Sequence, residues 1–378
     1  SRSGRAAASA AERALPYRRA VTRQIRYDAW SGADDWQTGV SRGATVADDA
    51  LVIGTPYPMP GELDDYERGS WISALVRTPF RFTELVASWS AVTPAGSWIE
   101  IAALGERQDH PTADNHVLGR WSSGEHPAHR TSLDDDPETH VDVWRPGDGA
   151  DCYSLALRLY RRPGTPGPTV LGLGVVVSAG EVRTSASVPS GRGQSVLDVP
   201  RLSQMTWKDT GGAGWCSPTS VSMVLAHAGR LPPGTDVPAA AREVFDPAYD
   251  GTGNWPFNTA WAASLADHAF VTRLHDLCEA EAFIAAGIPL VASVAYPAGG
   301  LPGAPTHVTD GHLLVVRGFT AAGDVVTNDP AAPTERSVRR TYERAAFERA
   351  WLDGSGGLVY VIHRDDQPLP DRGGRGAW

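Results

Sequence analysis

The apolar pattern of this chain changes its period once, across residues 178–199, and no other feature constrains the fold as much. Before that point, short alternating or continuous apolar runs recur at 50–54, 69–77, 82–89, 97–103, 140–144, 153–160 and 170–177. Turn residues such as Pro94-Ala-Gly96 separate them. Seven runs of this kind predict an all-β sandwich of jelly-roll type. After the break the pattern becomes helical. Val221, Val224, Leu225 and Ala228 repeat at helix spacing, with Gly229 as a stop. Further helices are expected at 237–245, within 254–268, at 279–286 and at 342–352. Strands are expected at 289–295, 312–319, 324–328 and 358–363. Helices first and a sheet second is an α+β arrangement. The segment between is poor in large apolar residues and rich in Ser, Gly, Arg and Pro, as an inter-domain linker is. The expected organisation is a flexible arm at 1–16, a β-sandwich domain at 17–183, a linker at 184–198, an α+β domain at 199–365 and a disordered tail at 366–378.

Composition narrows the function. A length of 378 residues suffices for two domains, each with its own core. The net charge of -10 argues against nucleic acid as a partner, because no basic face is needed to meet phosphates. No run of about 18 apolar residues exists, so no membrane span is expected. No signal peptide is visible in this chain. The three cysteines, Cys152, Cys216 and Cys278, form no Cys-x-x-Cys pair for zinc or dithiol chemistry. The polar stretch 110–136 holds four histidines at spacings that fit no compact metal motif, and no cofactor is expected.

Cys216 is the residue that carries chemistry. It stands between a glycine-rich loop, Gly211 to Gly214, and the helix beginning at Ser217-Pro218. Ser217 is a candidate helix cap and Pro218 suits a first turn. A cysteine there meets the positive end of the helix dipole, which favours the nucleophilic thiolate. Such a nucleophile needs a base. His227 lies eleven residues along the same helix, about 16 Å away at the usual rise. His312 opens the apolar run His312-Leu-Leu-Val-Val directly after a polar loop, a site-like position for an imidazole. Ala321-Ala-Gly323 then makes a hairpin that returns Asn328 and Asp329 alongside, and either could orient the ring. Gln204, twelve residues before the cysteine, could fold back and supply an oxyanion donor beside the Cys216 N–H.

These residues, with 286–294 and Gly311-His312-Leu-Leu-Val-Val-Arg-Gly-Phe319, resemble the C39-like family of papain-like cysteine peptidases. The resemblance covers about 199–363. It implies Cys216 as nucleophile, His312 as base, Asp329 as orienting acid, Gln204 in the oxyanion hole, and a peptide or protein substrate. Many relatives carry Gly after the cysteine, where this chain has Ser217. The first half is similar to the β-sandwich that accompanies this domain in some secreted bacterial proteins, which makes an extracellular location the expectation. A rival from another class is a non-catalytic protein whose sandwich holds a carbohydrate or cell-surface ligand. Trp89, Trp98, Trp121 and Trp144 are its candidate stacking residues. Residues 301–305 are expected to wall the cleft.

Overall fold

The computed structural model describes residues 23–58, 65–107, 110–124, 129–133, 136–180, 186–372, 374 and 376–378. The expected arm at 1–16 lies outside them. The first half builds two seven-stranded sheets, and every pairing between named strands in them is antiparallel. In one, the order is Thr139–His140, Val143–Trp144, Glu84–Val92, Thr169–Ala179, Ala50–Ile53, Ala44–Ala47, with Gln24–Ser31 also on Thr169–Ala179. In the other, the path His110–Trp121, Ser97–Arg107, Ala150–Arg161, Glu67–Ile72, Val40–Arg42 is joined by Tyr57–Pro58 and Val76–Phe82. The strand Gln24–Ser31 and the helix Gly32–Gln37 were not expected from the sequence, because neither carries a clean apolar period. His110–Trp121, in the polar stretch where no strand was expected, pairs with Ser97–Arg107 as a strand.

The second half builds a third antiparallel sheet: His268–Arg273, Leu358–His363, Leu290–Tyr296, Thr309–Phe319, Val325–Asn328, Arg339–Tyr342. The helices Cys216–His227, Trp255–Ala263, Leu277–Ala285 and Arg344–Ser355 pack on it, and Val237–Val244 packs on the first two of them. The helix expected within 254–268 stops at Ala263, and His268–Arg273 is instead an edge strand of this sheet. The end of the linker is also structured. Ser195–Val196 pairs with Thr309–Phe319, and Arg344, Glu281 and Glu348 bind the backbone or hydroxyls of Ser187 and Ser190. The carboxy-terminal residues depart from the expected disorder. Trp378 is buried with its ring against Phe283, and its indole N–H donates to the Pro370 carbonyl. Burial of so large a ring offsets part of the entropy lost in ordering the tail.

One core runs through both halves, and the second half buries another of its own. Leu85, Val86 and Ala87 are all buried, as a strand covered on both faces requires. One of those covers is the Trp255–Ala263 helix, whose Phe257 ring lies 6.1 Å from Trp89 and 5.3 Å from Trp121. Arg273 pairs with Glu84 at 2.9 Å, and Ser132 N–H donates to Asp246 at 3.1 Å. Trp89, Trp98, Trp121 and Trp144 are each at most 2% exposed. They are core residues with no face left for a sugar, which corrects their assignment as stacking residues. Phe257→Ala is expected to cost about 3–5 kcal/mol. Denaturant unfolding monitored by tryptophan fluorescence would read it as a lower midpoint for the whole chain. A midpoint unchanged from wild type would show that the shared core contributes nothing.

Candidate active site

Cys216 is the first residue of its helix, with Trp215 at the cap position. Ser217 is therefore not the cap. It sits one residue inside, fully buried, with its hydroxyl 3.0 Å from the Tyr360 hydroxyl. The helix is pinned to the central strand by Ser220, whose hydroxyl donates to the Leu313 carbonyl at 3.1 Å. This contact brings the helix N-terminus to the point where Thr309–Phe319 presents His312. Leu313 N–H donates to the Cys216 sulfur at 3.5 Å. The His312 ring stands beside the same sulfur, close enough for each to shift the other's protonation.

His312 is 4% exposed, and its Nε2 lies 2.8 Å from Oδ1 of Asp329. Asp329 has no solvent exposure. Its Oδ1 also accepts Ala331 N–H at 3.1 Å, and its Oδ2 accepts the Tyr342 hydroxyl at 2.8 Å. Of the two residues that the hairpin could offer, the structure aims Asp329 at the ring. Asn328 points elsewhere, and its amide donates to the Val199 and Pro200 carbonyls. Successive strand residues face opposite sides, so only one of the pair can reach the histidine.

The electrostatics follow from this geometry. Burial alone would push the Cys216 thiol up, but the hydrogen bond and charge of His312, with the N–H groups of Leu313 and Ser217, outweigh it and hold the thiol below its ordinary value. Burial likewise opposes charge on His312, yet Asp329 first and Cys216 second raise the ring to about 10. Burial disfavours the Asp329 carboxylate, but His312, Tyr342 and Ala331 N–H keep it below the usual carboxylate range. All three shifts favour a thiolate–imidazolium pair backed by a carboxylate. A thiolate held in this way is a nucleophile near neutral pH, and the adjacent imidazolium is a proton donor.

Gln204 is 2% exposed and lines the same cleft as Cys216 and His312. Its backbone N–H donates to the Pro330 carbonyl at 3.0 Å, which ties it to the Asp329 loop. Its side-chain Nε2 donates to the Ala213 carbonyl at 2.7 Å. Gly212 makes the fold-back fit, since a Cβ there would stand 2.3 Å from the Gln204 carbonyl oxygen. The four expected residues thus converge: three on the cleft, with Asp329 behind His312.

The cleft has a volume of about 840 Å³ and lies between the two halves. Pro305 and Thr306 form part of its edge, whereas Leu301 is buried in the core. Sequence reasoning missed three contributors. Tyr342 was expected to open a helix and instead ends a strand beside Asp329. Tyr249, 48% exposed, lines the cleft from a loop that carries no periodic signal. The segment His140–Arg145 contributes a wall from the first half. It was expected as one strand, but it breaks at Val141 and Asp142. The three cysteines form no disulfide, so Cys152 and Cys278 do not pair with each other. Among the described residues no three His, Cys, Asp or Glu side chains group as metal ligands. His116 instead stacks on Trp144 and bonds Asp136 at 2.5 Å. No helix among the described residues is long and apolar enough to cross a membrane.

Comparison with known families agrees with both halves. Residues 26–178 match the family model described as the peptidase C39 N-terminal domain, and residues 196–357 match that of the Peptidase_C39-like family. No curated protein matches the chain. The two matches follow one another in chain order with a gap only at the linker, and the chain belongs to the C39-like peptidase family.

Proposed function

We propose that this chain is a cysteine peptidase that hydrolyses a peptide or amide bond through an acyl-thioenzyme. Cys216 is the nucleophile, His312 the base and acid, Asp329 the orienting carboxylate, and Gln204 an oxyanion donor. The observation that carries this reading is the continuous chain of contacts from the Cys216 sulfur through the His312 ring to Asp329, 2.8 Å beyond. The helix bearing the cysteine packs on an antiparallel sheet bearing the histidine, which supports a papain-like fold for the second half. The two sheets of the first half support a jelly-roll-type sandwich.

The chemistry balances as follows. The Cys216 thiolate attacks the carbonyl carbon, and charge gathers on the carbonyl oxygen. In this reading, backbone N–H of Cys216 and the second Nε2 hydrogen of Gln204 are the donors that receive it. The intermediate collapses, the C–N bond breaks, and the His312 imidazolium gives its proton to the leaving amine. A water molecule then loses a proton to His312 and attacks the thioester. The C–S bond breaks, and the thiolate–imidazolium pair is restored.

Iodoacetamide labelling of Cys216 against pH tests this reading. An ordinary thiol titrates near pKa ~8.5. Labelling of Cys216 is expected to stay fast well below that, while Cys278, which burial pushes up, labels only at higher pH. A Cys216 profile with its midpoint at 8.5 or above would rule the nucleophile out.

A further inference from the structure

One wall of the cleft is not used by the chemistry proposed above. It comes from the first half, at the turn between the strands Thr139–His140 and Val143–Trp144. Val141 there has φ of 58°, a left-handed conformation that a β-branched residue adopts only when the surrounding structure enforces it. The next residue, Asp142, lines the cleft with Cys216 and His312 and is 5% exposed.

Buried carboxylates are as a rule paired with a cation. Asp142 is not: among the described residues it forms no ion pair. Its Oδ2 accepts the Trp255 N–H at 2.6 Å. A neutral amide could accept that bond equally well, so it does not account for a carboxylate. Arg145 lies close enough for its charge to reach Asp142, yet its Nε bonds Glu84 at 3.3 Å. Asp246, the other charged neighbour, is of like sign. Tyr249 feels the charge of Asp142 and that of Cys216, which places it between the carboxylate wall and the thiol. Its ring rests over Gly251 and Gly253, and it faces the same cleft. Two further carboxylates on that cleft, Asp250 and Asp310, are exposed to solvent.

We propose that Asp142 is a specificity-determining residue of this cleft and takes a basic side chain, lysine or arginine, of the substrate. It is supplied by the first half, so substrate choice and bond cleavage are divided between the two halves. The proposal rests on Cys216 as the nucleophile, but its test does not need turnover. At pH 8.5 any accessible cysteine reacts with a methanethiosulfonate, releasing sulfinate and forming a mixed disulfide. The rate of Cys216 modification by the cationic 2-aminoethyl reagent, divided by the rate with the neutral methyl reagent, reads the local preference for a cation. Mass spectrometry of the Cys216 and Cys278 peptides separates the two sites. A change in thiolate fraction cancels in this ratio.

The ratio at Cys216 is expected to exceed that at Cys278 in the wild type, and to fall about tenfold in Asp142→Asn. Asp142→Glu is expected to keep the preference, and Asp250→Asn or Asp310→Asn to change it little, because solvent screens them. In turnover, a lysine peptide is expected to beat its norleucine counterpart at one subsite, with the difference lost through KM in Asp142→Asn. No preference at Cys216 over Cys278 in the wild type, or an unchanged ratio in Asp142→Asn, would overturn the proposal. Absence of turnover with the ratio behaving as expected would instead count against the peptidase reading alone.

Discussion

Cys216→Ala is expected to abolish hydrolysis, with a loss of at least about 10,000-fold in kcat. The substitution removes the only atom proposed to bond the substrate and leaves the oxyanion donors and the cleft in place. It should not unfold the protein. The sulfur receives a long hydrogen bond from Leu313 N–H at 3.5 Å and is further held by His312 and the Ser217 N–H, and alanine is a good residue for the first turn of a helix. Stability is therefore expected to stay within about 1 kcal/mol of wild type. The measurement is cleavage of a peptide library by wild type and variant side by side. Equal cleavage by both, or none by the wild type, would sink the peptidase reading.

Asp329→Ala should damage both activity and stability. It strips the partner from His312 Nε2, from Ala331 N–H and from the Tyr342 hydroxyl, all at a site without solvent. Removing one member of a buried charged pair costs about 3–5 kcal/mol, and losing the orientation of the base costs about 1,000-fold or more in kcat. Asp329→Asn separates the two effects. An amide oxygen can still accept from His312 and Ala331, and Tyr342 can turn its hydroxyl to accept from the new NH₂, so the geometry survives. The negative charge does not. His312 then loses its main source of elevation, and the Cys216 thiol moves up with it. The iodoacetamide midpoint is expected to rise in Asp329→Asn even where the melting temperature is nearly kept.

The same pair sets a pH dependence of stability. His312 is raised from an unfolded value near ~6.5 to about 10, so its contribution is complete below about pH 6.5 and is lost as pH rises through 10. Asp329 is lowered, so its contribution is complete above an unfolded value of about 3.9 and is lost on acidification through its folded value. Thermal melts of wild type should decline across the alkaline window, and those of Asp329→Asn should be flatter there. An identical slope in both would show that the pair does not carry this dependence.

Much of the second half was legible in the sequence because its signals are local. A glycine loop, a cysteine, a proline and an apolar helical period mark one end of a helix wherever the chain is placed. The run from His312 to Phe319 and the glycine at 323 mark a hairpin in the same way, and the register Phe319↔Val325 bears that out. The boundaries that failed are those set by packing. His268–Arg273 is a strand because the edge at Leu358–His363 was open to it, and its own six residues carry too little pattern to say so. The tryptophans of the first half gave a strong signal with two meanings. Only tertiary burial decides that they are core: Trp89 and Trp121 lie against Phe257, Trp144 against Phe82, and Trp98 against Tyr160.

The sequence by itself determined which residue types were present for cysteine chemistry and the order in which the chain supplies them. Local propensity and spacing also determined the helix behind Cys216 and the hairpin that returns Asp329. The tertiary structure decided the choice of Asp329 over Asn328, the service of Tyr342 to that carboxylate, and the position of Asp142 on the cleft. The choice between Asn328 and Asp329 turns on strand facing, where one residue of register exchanges the two sides of a sheet. Tyr342 reaches Asp329 across only 13 residues but through the pairing of its strand, whereas Asp142 meets Trp255 across 113. No local pattern encodes a contact of that span, because it forms only when two separately folded surfaces bury each other.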